Sequence, residues 1–347
     1  MIENPFTLMY GKASSSVVQR RETINQIMDE FQKPQPAILS YMITGVRGSG
    51  KTVALREVAR RLKTAGWILL DLNPRGDLMS AYAQKLFEEG KQWKLFLDWS
   101  LSIGPSHLSL SIRKKEMAVD PEMVARKMTE MAFQKNKRLL VTIDEATATD
   151  SLRYFANFFQ SIIGAGMPLC LLMTGVRENI DVLSSDKAMS FLSRSPKINL
   201  EPLNLLDVAV EYSRVLNISP EIASKMAKLS AGYAFAYQVL GYFFVEEKKT
   251  DVDNGLIQKY SSYLYQNGYD VIWKSITANE RAFLIKLAES ENGEGAVVAA
   301  KMGISESYYQ NLRRSLLQKG VITATTYGKI DFALPLFSNY VNLIKGF

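Results

Sequence analysis

Through the first 200 residues, short apolar runs alternate with amphipathic stretches. The runs ILSYMIT (38–44), WILLDLN (67–73), RLLVTID (138–144), PLCLLMT (168–174) and KINL (197–200) have the length and composition of buried strands. Between most of them, at 51–65, 77–89, 121–136 and 150–163, apolar residues recur at helical spacing. Apolar strands alternating with helices predict an α/β fold: a five-stranded parallel sheet covered on both faces. A helix is also expected from about Ser16 to Phe31, with Val17, Val18, Ile24, Ile27, Met28 and Phe31 as its stripe; QKPQP (32–36) then breaks the chain. SLSIGPSHLSLSI (100–112) reads as two alternating strands around Gly104-Pro105, hence a β-hairpin inserted before the helix at 121–136.

After Pro202 the pattern is helical, over 205–216, 220–229 and 233–245. VEEKKTDVDNG (245–255) reads as an exposed connector, followed by a helix to about 266. The remainder has the grammar of a winged helix. TANERAFLIKLAES (277–290) opens with Thr277 and Glu280 at capping-box spacing. GAVVAAKMG (295–303) is a short second helix, and SESYYQNLRRSLLQKG (305–320) a third, capped by Ser305 and stopped by Gly320. VITATTYGKIDFALP (321–335) then forms two strands around Tyr327-Gly328-Lys329. The third helix is expected to bury Leu312, Leu316 and Leu317 and to expose Ser307, Gln310, Asn311 and Arg314.

GVRGSGKT (45–52) fits the phosphate-loop pattern GxxxxGK[ST]. Gly45, Gly48 and Gly50 let the backbone curl so that N–H groups along Val46, Arg47 and Ser49 can face phosphate oxygens. Lys51 brings a cation to the β- and γ-phosphates, and Thr52 a hydroxyl to Mg²⁺. The helix that carries Val53 directs its N-terminal dipole at the same anion. A strand before the loop and an amphipathic helix after it are the context the motif demands, so ATP binding is the expectation.

LLVTIDE (139–145) is an apolar strand ending in two carboxylates. Downstream of a phosphate loop, Asp144 is placed to hold Mg²⁺ and Glu145 to act as general base on the attacking water. The bland alternative is a solvated acidic turn. Thr174 ends the next buried strand, where it reaches the γ-phosphate or the water, or makes only a local backbone bond.

Composition narrows the chemistry. The chain has 347 residues, 47% hydrophobic and 22% charged, which suits a soluble protein of two or three domains. No apolar run approaches the roughly 20 residues of a membrane helix, and the start has no secretory pattern, so a cytoplasmic location without membrane contact is expected. One cysteine (Cys170) and one histidine (His107) exclude an intrachain disulfide and a structural zinc site. No NKxD guanine motif appears. The net charge of +7 suits a polyanionic partner but is spread along the chain.

These residues resemble the AAA+ superfamily, and within it the bacterial and archaeal ATPases related to origin-recognition and STAND-type proteins. The resemblance runs over essentially the whole chain and rests on the phosphate loop and the Asp144-Glu145 strand. In its terms Thr174 is similar to the sensor 1 position. Phe191-Leu192-Ser193-Arg194-Ser195 is similar to the segment that offers an arginine to a neighbour's nucleotide, with Arg177 as the alternative and a surface ion pair as the bland reading. NPF and the later Arg21-Glu22 are similar to the N-terminal box that packs on adenine. The resemblance implies that the strand before the phosphate loop lies beside the sensor strand. It implies a core over 1–200, a helical lid over about 201–272 and a winged helix over 273–347. In the lid, the matching region AGYAFAYQ (231–238) has Gly232 but neither proline nor arginine.

The winged helices of such ATPases often bind DNA. Gln310, Asn311 and Arg314 would then meet base edges or phosphates, and Lys329 at the wing tip a backbone phosphate. The same layout also serves as a protein-docking module, and nine Lys/Arg against six Asp/Glu over 274–347 is only mildly basic. Two functions are therefore expected as rivals. One is an ATPase, expected to form a homo-oligomer or to join a protein partner, that turns ATP hydrolysis into a conformational or assembly change acting on double-stranded DNA through the winged helix. The other is a slow nucleotide switch that holds a protein partner.

Overall fold

The computed structural model describes residues 4–8, 14–92, 120–290, 293–325 and 328–345. The expected hairpin at 100–112, with His107, and Tyr327 lie outside the described residues. The chain divides into two compact units, one of Arg20–Thr44 and Lys51–Asn199, the other of Met1–Gln19, Gly45–Gly50 and Leu200–Phe347.

The first unit holds five parallel strands: β1 (Ser40–Thr44), β2 (Ile68–Leu72), β3 (Leu139–Ile143), β4 (Leu169–Gly175) and β5 (Lys197–Asn199). They lie in the order β2-β3-β4-β1-β5. Every residue of β1, β3 and β4 is buried, which is why these segments read as continuous apolar runs. β1 pairs with β4 with Ile43 opposite Thr174, so the strand before the phosphate loop does lie beside the strand that carries Thr174, as the resemblance implies. β3 pairs with β4 with Ile143 opposite Met173. Asp144 and Thr174 therefore emerge side by side at the carboxyl edge of the sheet. Helices α1 (Arg21–Phe31), α2 (Lys51–Thr64), α3 (Leu78–Gln92), α4 (Pro121–Gln134), α5 (Asp150–Gly164) and α6 (Arg177–Ser185) belong to this unit. Tyr82 packs edge-on against Phe158, and its hydroxyl reaches Thr129 at 2.7 Å, which satisfies the buried phenol.

The first helix starts at Arg21, not near Ser16. Ser16 is buried in the second unit. Its N–H donates to the Pro5 carbonyl, its carbonyl accepts from Gln238 Nε2 at 2.7 Å, and its hydroxyl meets that of Tyr237. With its backbone groups committed there, the segment cannot enter the helical ladder. Helix α6 and the 3₁₀ helix Lys187–Arg194 were also not anticipated.

In the second unit, α7 (Leu205–Leu216), α8 (Pro220–Ser230), α9 (Ala234–Glu246) and α10 (Asn254–Leu264) follow the expected periodicity. A π-helical turn at Tyr265–Tyr269 leads into α11 (Asp270–Ser275). Then come α12 (Ala278–Ala288), α13 (Gly295–Lys301), α14 (Glu306–Gln318), the antiparallel pair β6 (Ile322–Ala324) and β7 (Ile330–Phe332), and α15 (Phe337–Ile344), which the sequence reading lacked. The capping box of Thr277 and Glu280 is formed. Leu312 and Leu316 are buried on α14, whereas Leu317 is only half-buried, because it lies one residue off the stripe that faces the core. Phe6 is buried against Tyr212 and Tyr237, where a Cβ at Gly241 would meet its ring. No described helix is long and apolar enough to cross a membrane.

Candidate nucleotide site

In the sheet unit, four residues from three segments converge. The Thr52 hydroxyl, on the first turn of α2, donates to Asp144 Oδ2 at 2.7 Å. The Thr174 hydroxyl, at the end of β4, donates to the other oxygen of the same carboxylate. The Glu145 N–H donates to Thr174 Oγ1 at 3.1 Å, and the Ala146 N–H to the Thr174 carbonyl at 2.8 Å. Thr174 is wholly buried and grips three consecutive residues beyond the end of β3. Its hydroxyl is thus committed to Asp144 and Glu145, a geometry the sequence reading did not foresee.

Glu145 itself is exposed and stands in the left-handed region, with φ 55°. For a residue with a Cβ that conformation costs roughly 1–2 kcal/mol, and such outliers gather at functional sites. The two amide bonds to Thr174 hold it there. The Thr52 hydroxyl and the Asp144 carboxylate make a pair of hard oxygen donors. That donor set fits Mg²⁺, which takes one or two carboxylates and fills its octahedron with phosphate and water.

Lys51 opens α2 and is buried, which is unusual for a lysine. Val53, two residues along the helix, is exposed. Cys170 is buried in β4, and burial pushes its thiol up to about 12, so it stays protonated and inert.

Residues Gly45–Gly50 group with the second unit. Gly48 has φ 78° and Gly50 φ 93°, values open to glycine. The Ser49 N–H donates to the Val46 carbonyl at 3.1 Å, closing a turn inside the loop. Two contacts that the sequence reading missed come from AGYAFAYQ. The Tyr233 hydroxyl donates to the Arg47 carbonyl at 2.8 Å, and the Phe235 N–H donates to the Gly48 carbonyl at 3.0 Å. The only signal available beforehand was a pair of aromatic residues following Gly232, and nothing local ties them to a loop 186 positions away.

Arg194 ends the 3₁₀ helix and is exposed. Arg177 lies at the start of α6, 3.8 Å from Asp181. Gln310, Asn311 and Arg314 are exposed on α14, and Lys329 is exposed just before β7. Gln310 Nε2 donates to Glu306 Oε1 at 2.6 Å, so a carboxylate sits within that face.

A family model described as a domain of unknown function (DUF8462) matches residues 266–341. No curated protein matches the chain. Among solved structures, the Walker-type ATPase PABY2304 of Pyrococcus abyssi is similar with a TM-score of 0.69 at 15% identity, covering 97% of this chain and 99% of that one. The ORC2 protein of Aeropyrum pernix, in ADPNP-ADP complexes, gives 0.58 at 12% identity and 98% of both chains. Cdc6p from Pyrobaculum aerophilum gives 0.52 at 15% identity and 97% of both chains. The chain has the α/β fold of the P-loop AAA+ ATPases.

Proposed function

We propose that the protein is a cytoplasmic ATPase that binds ATP with Mg²⁺ and hydrolyses it to ADP and phosphate. The observation that carries this reading is the Thr52–Asp144–Thr174–Glu145 constellation at the end of β3 and β4, directly downstream of a phosphate loop. Thr52 and Asp144 would hold Mg²⁺, which supplies charge neutralisation to the phosphates when bound. Lys51 adds a fixed ammonium to the same charge. Glu145, exposed and braced through its backbone, accepts a proton from the attacking water. Thr174 fixes the Asp144 carboxylate and the Glu145 amide. Arg194, exposed at the end of its helix, is the side chain we assign to a neighbouring subunit's nucleotide.

The division of labour we propose is a nucleotide core over 1–200, a helical lid over 201–272 and a winged helix over 273–347. The last would pass the nucleotide state to double-stranded DNA through Gln310, Asn311, Arg314 and Lys329. One observation favours the rival partner: the Glu306 carboxylate beside Gln310 suits a protein surface better than a phosphate backbone.

Two variants test the nucleotide reading. Lys51→Ala should abolish ATP binding measured by calorimetry, and wild-type affinity there would defeat the phosphate-loop assignment. Glu145→Gln should keep ATP bound while turnover falls about 10²- to 10⁴-fold, the range for loss of a general base; wild-type turnover would remove Glu145 from that role.

A further inference from the structure

We propose that Tyr233 is a positioning residue of the phosphate loop, holding it from its carbonyl side together with the backbone amide of Phe235. This rests on the nucleotide reading above and adds a part that the loop motif does not contain.

In a trans peptide the C=O and the following N–H point in opposite directions, and no described peptide bond is cis. The Tyr233 hydroxyl holds the Arg47 carbonyl, so the Gly48 N–H of that same plane faces away from Tyr233. The Phe235 N–H holds the Gly48 carbonyl. The Ser49 N–H of that plane is thereby turned inward, where it meets the Val46 carbonyl. Two successive peptide planes of the loop are thus oriented through their carbonyls by one short segment. On the opposite edge, the Gly48 N–H is directed where phosphate recognition uses such groups, while the Ser49 N–H closes the turn onto Val46.

The holding segment is itself fixed. The Gly232 carbonyl accepts from the Leu203 N–H at 2.8 Å, and the Tyr233 N–H donates to the Ser230 carbonyl at 2.8 Å. Tyr233 is 5% exposed, and its ring lies edge-on to that of Phe235. A Cβ at Gly48 would run into the Tyr233 hydroxyl and ring, so glycine at 48 is required by this contact as well as by its φ of 78°. At the other side of the loop, a Cβ on Gly320, after α14, would strike Val46 Cγ1. Within the second unit, residues beyond 200 therefore approach residues 46, 47 and 48 in succession. A lid entrance with no arginine orients the loop's amides rather than placing a cation on the phosphates.

Tyr233→Phe removes only the hydroxyl. With the full-length chain and Mg-ATP in a calorimeter, Kd should rise about fivefold, the factor one net hydrogen bond supplies. KM should rise in step with kcat unchanged, because the lost interaction serves ground and transition states alike. The Gly48 amide should exchange faster with solvent in the nucleotide-free variant. A residue that merely supported packing would lower the thermal midpoint and leave Kd as it was. Unchanged Kd in Tyr233→Phe, alongside lost binding in Lys51→Ala, overturns the Tyr233 assignment and leaves the nucleotide reading standing. Wild-type ATP binding in Lys51→Ala overturns both.

Discussion

At the scale of single residues, the proposed chemistry depends on how the Thr174 hydroxyl is used. It donates to Asp144 and accepts from the Glu145 amide, and it is wholly buried. A partly buried carboxylate oxygen or amide that loses its partner gives up the net worth of the bond, about 1 kcal/mol. Thr174→Val keeps the shape and removes both bonds. We expect turnover to fall at least about tenfold, on the order of 1.4 kcal/mol, while ATP affinity changes little. Thr174→Ser, which restores the hydroxyl, should recover most of the rate. Steady-state kinetics of the two variants check this: equal rates in both would assign Thr174 to packing. The left-handed backbone of Glu145 belongs to the same arrangement, since the amides of Glu145 and Ala146 are both held by Thr174.

At the scale of elements, two helices carry charges whose worth is measurable. On α2, Glu57 accepts from Arg60 at 2.8 Å twice and from Arg61 at 2.7 Å. The hydrogen bond from Arg60, then that from Arg61, outweighs partial burial and lowers the carboxyl to about 2, against an ordinary value of 4.5. A carboxylate with a depressed folded-state pKa stabilises fully above its unfolded value and loses that contribution as pH falls toward the folded one. The difference in thermal midpoint between wild type and Glu57→Gln should therefore be constant from pH 7 to 5 and narrow by pH 3. A difference that widens on acidification would contradict the ion-pair assignment. On α12, the buried Glu280 caps with Thr277 and accepts from Ser315 Oγ at 2.6 Å and Lys319 Nζ at 2.7 Å. Burial raises its pKa, but the bonds from Lys319, Ser315 and Thr277 prevail and hold it below the usual range. Removing one partner of a buried pair strands the other, at about 3–5 kcal/mol. Urea unfolding of Glu280→Ala should show a loss of that order, and a loss under 1 kcal/mol would mean that water replaces the carboxylate.

At the scale of the molecule, the proposal links ATP turnover to a nucleic acid. A DNA contact made through lysine and arginine releases counterions, so affinity must weaken steeply as salt rises. Gel shifts with duplex DNA should show this slope. Arg314→Ala and Lys329→Ala should each flatten it and weaken all sequences alike if the contacts are to phosphate. No shift at low salt, and no effect of DNA on turnover, would leave the protein-partner reading. Arg194→Ala should matter only where subunits meet. Sizing the protein with and without a slowly hydrolysed ATP analogue, followed by turnover of the variant at high and low concentration, tests that directly.

What depends on near neighbours was legible in the order of the residues. The apolar runs set the strands, the glycines of 45–50 set a loop with left-handed positions, and Thr277 with Glu280 set a cap that formed as spaced. Asp144 and Thr174 were legible as strand-ending polar residues because a buried strand must stop where its polar groups begin. Which distant groups meet was set by the packing of whole elements. Strand order put Thr174 beside Asp144, where its hydroxyl braces an acidic pair. Ser16, apolar-periodic in its surroundings, was drawn out of α1 because Gln238 and Tyr237 satisfy its polar groups elsewhere. Tyr233 reached Arg47 across 186 positions. Local patterns carry no record of such meetings. They arise when whole faces pack, and the hydrogen bonds they bring together stabilise the fold only after that packing has removed water from around them.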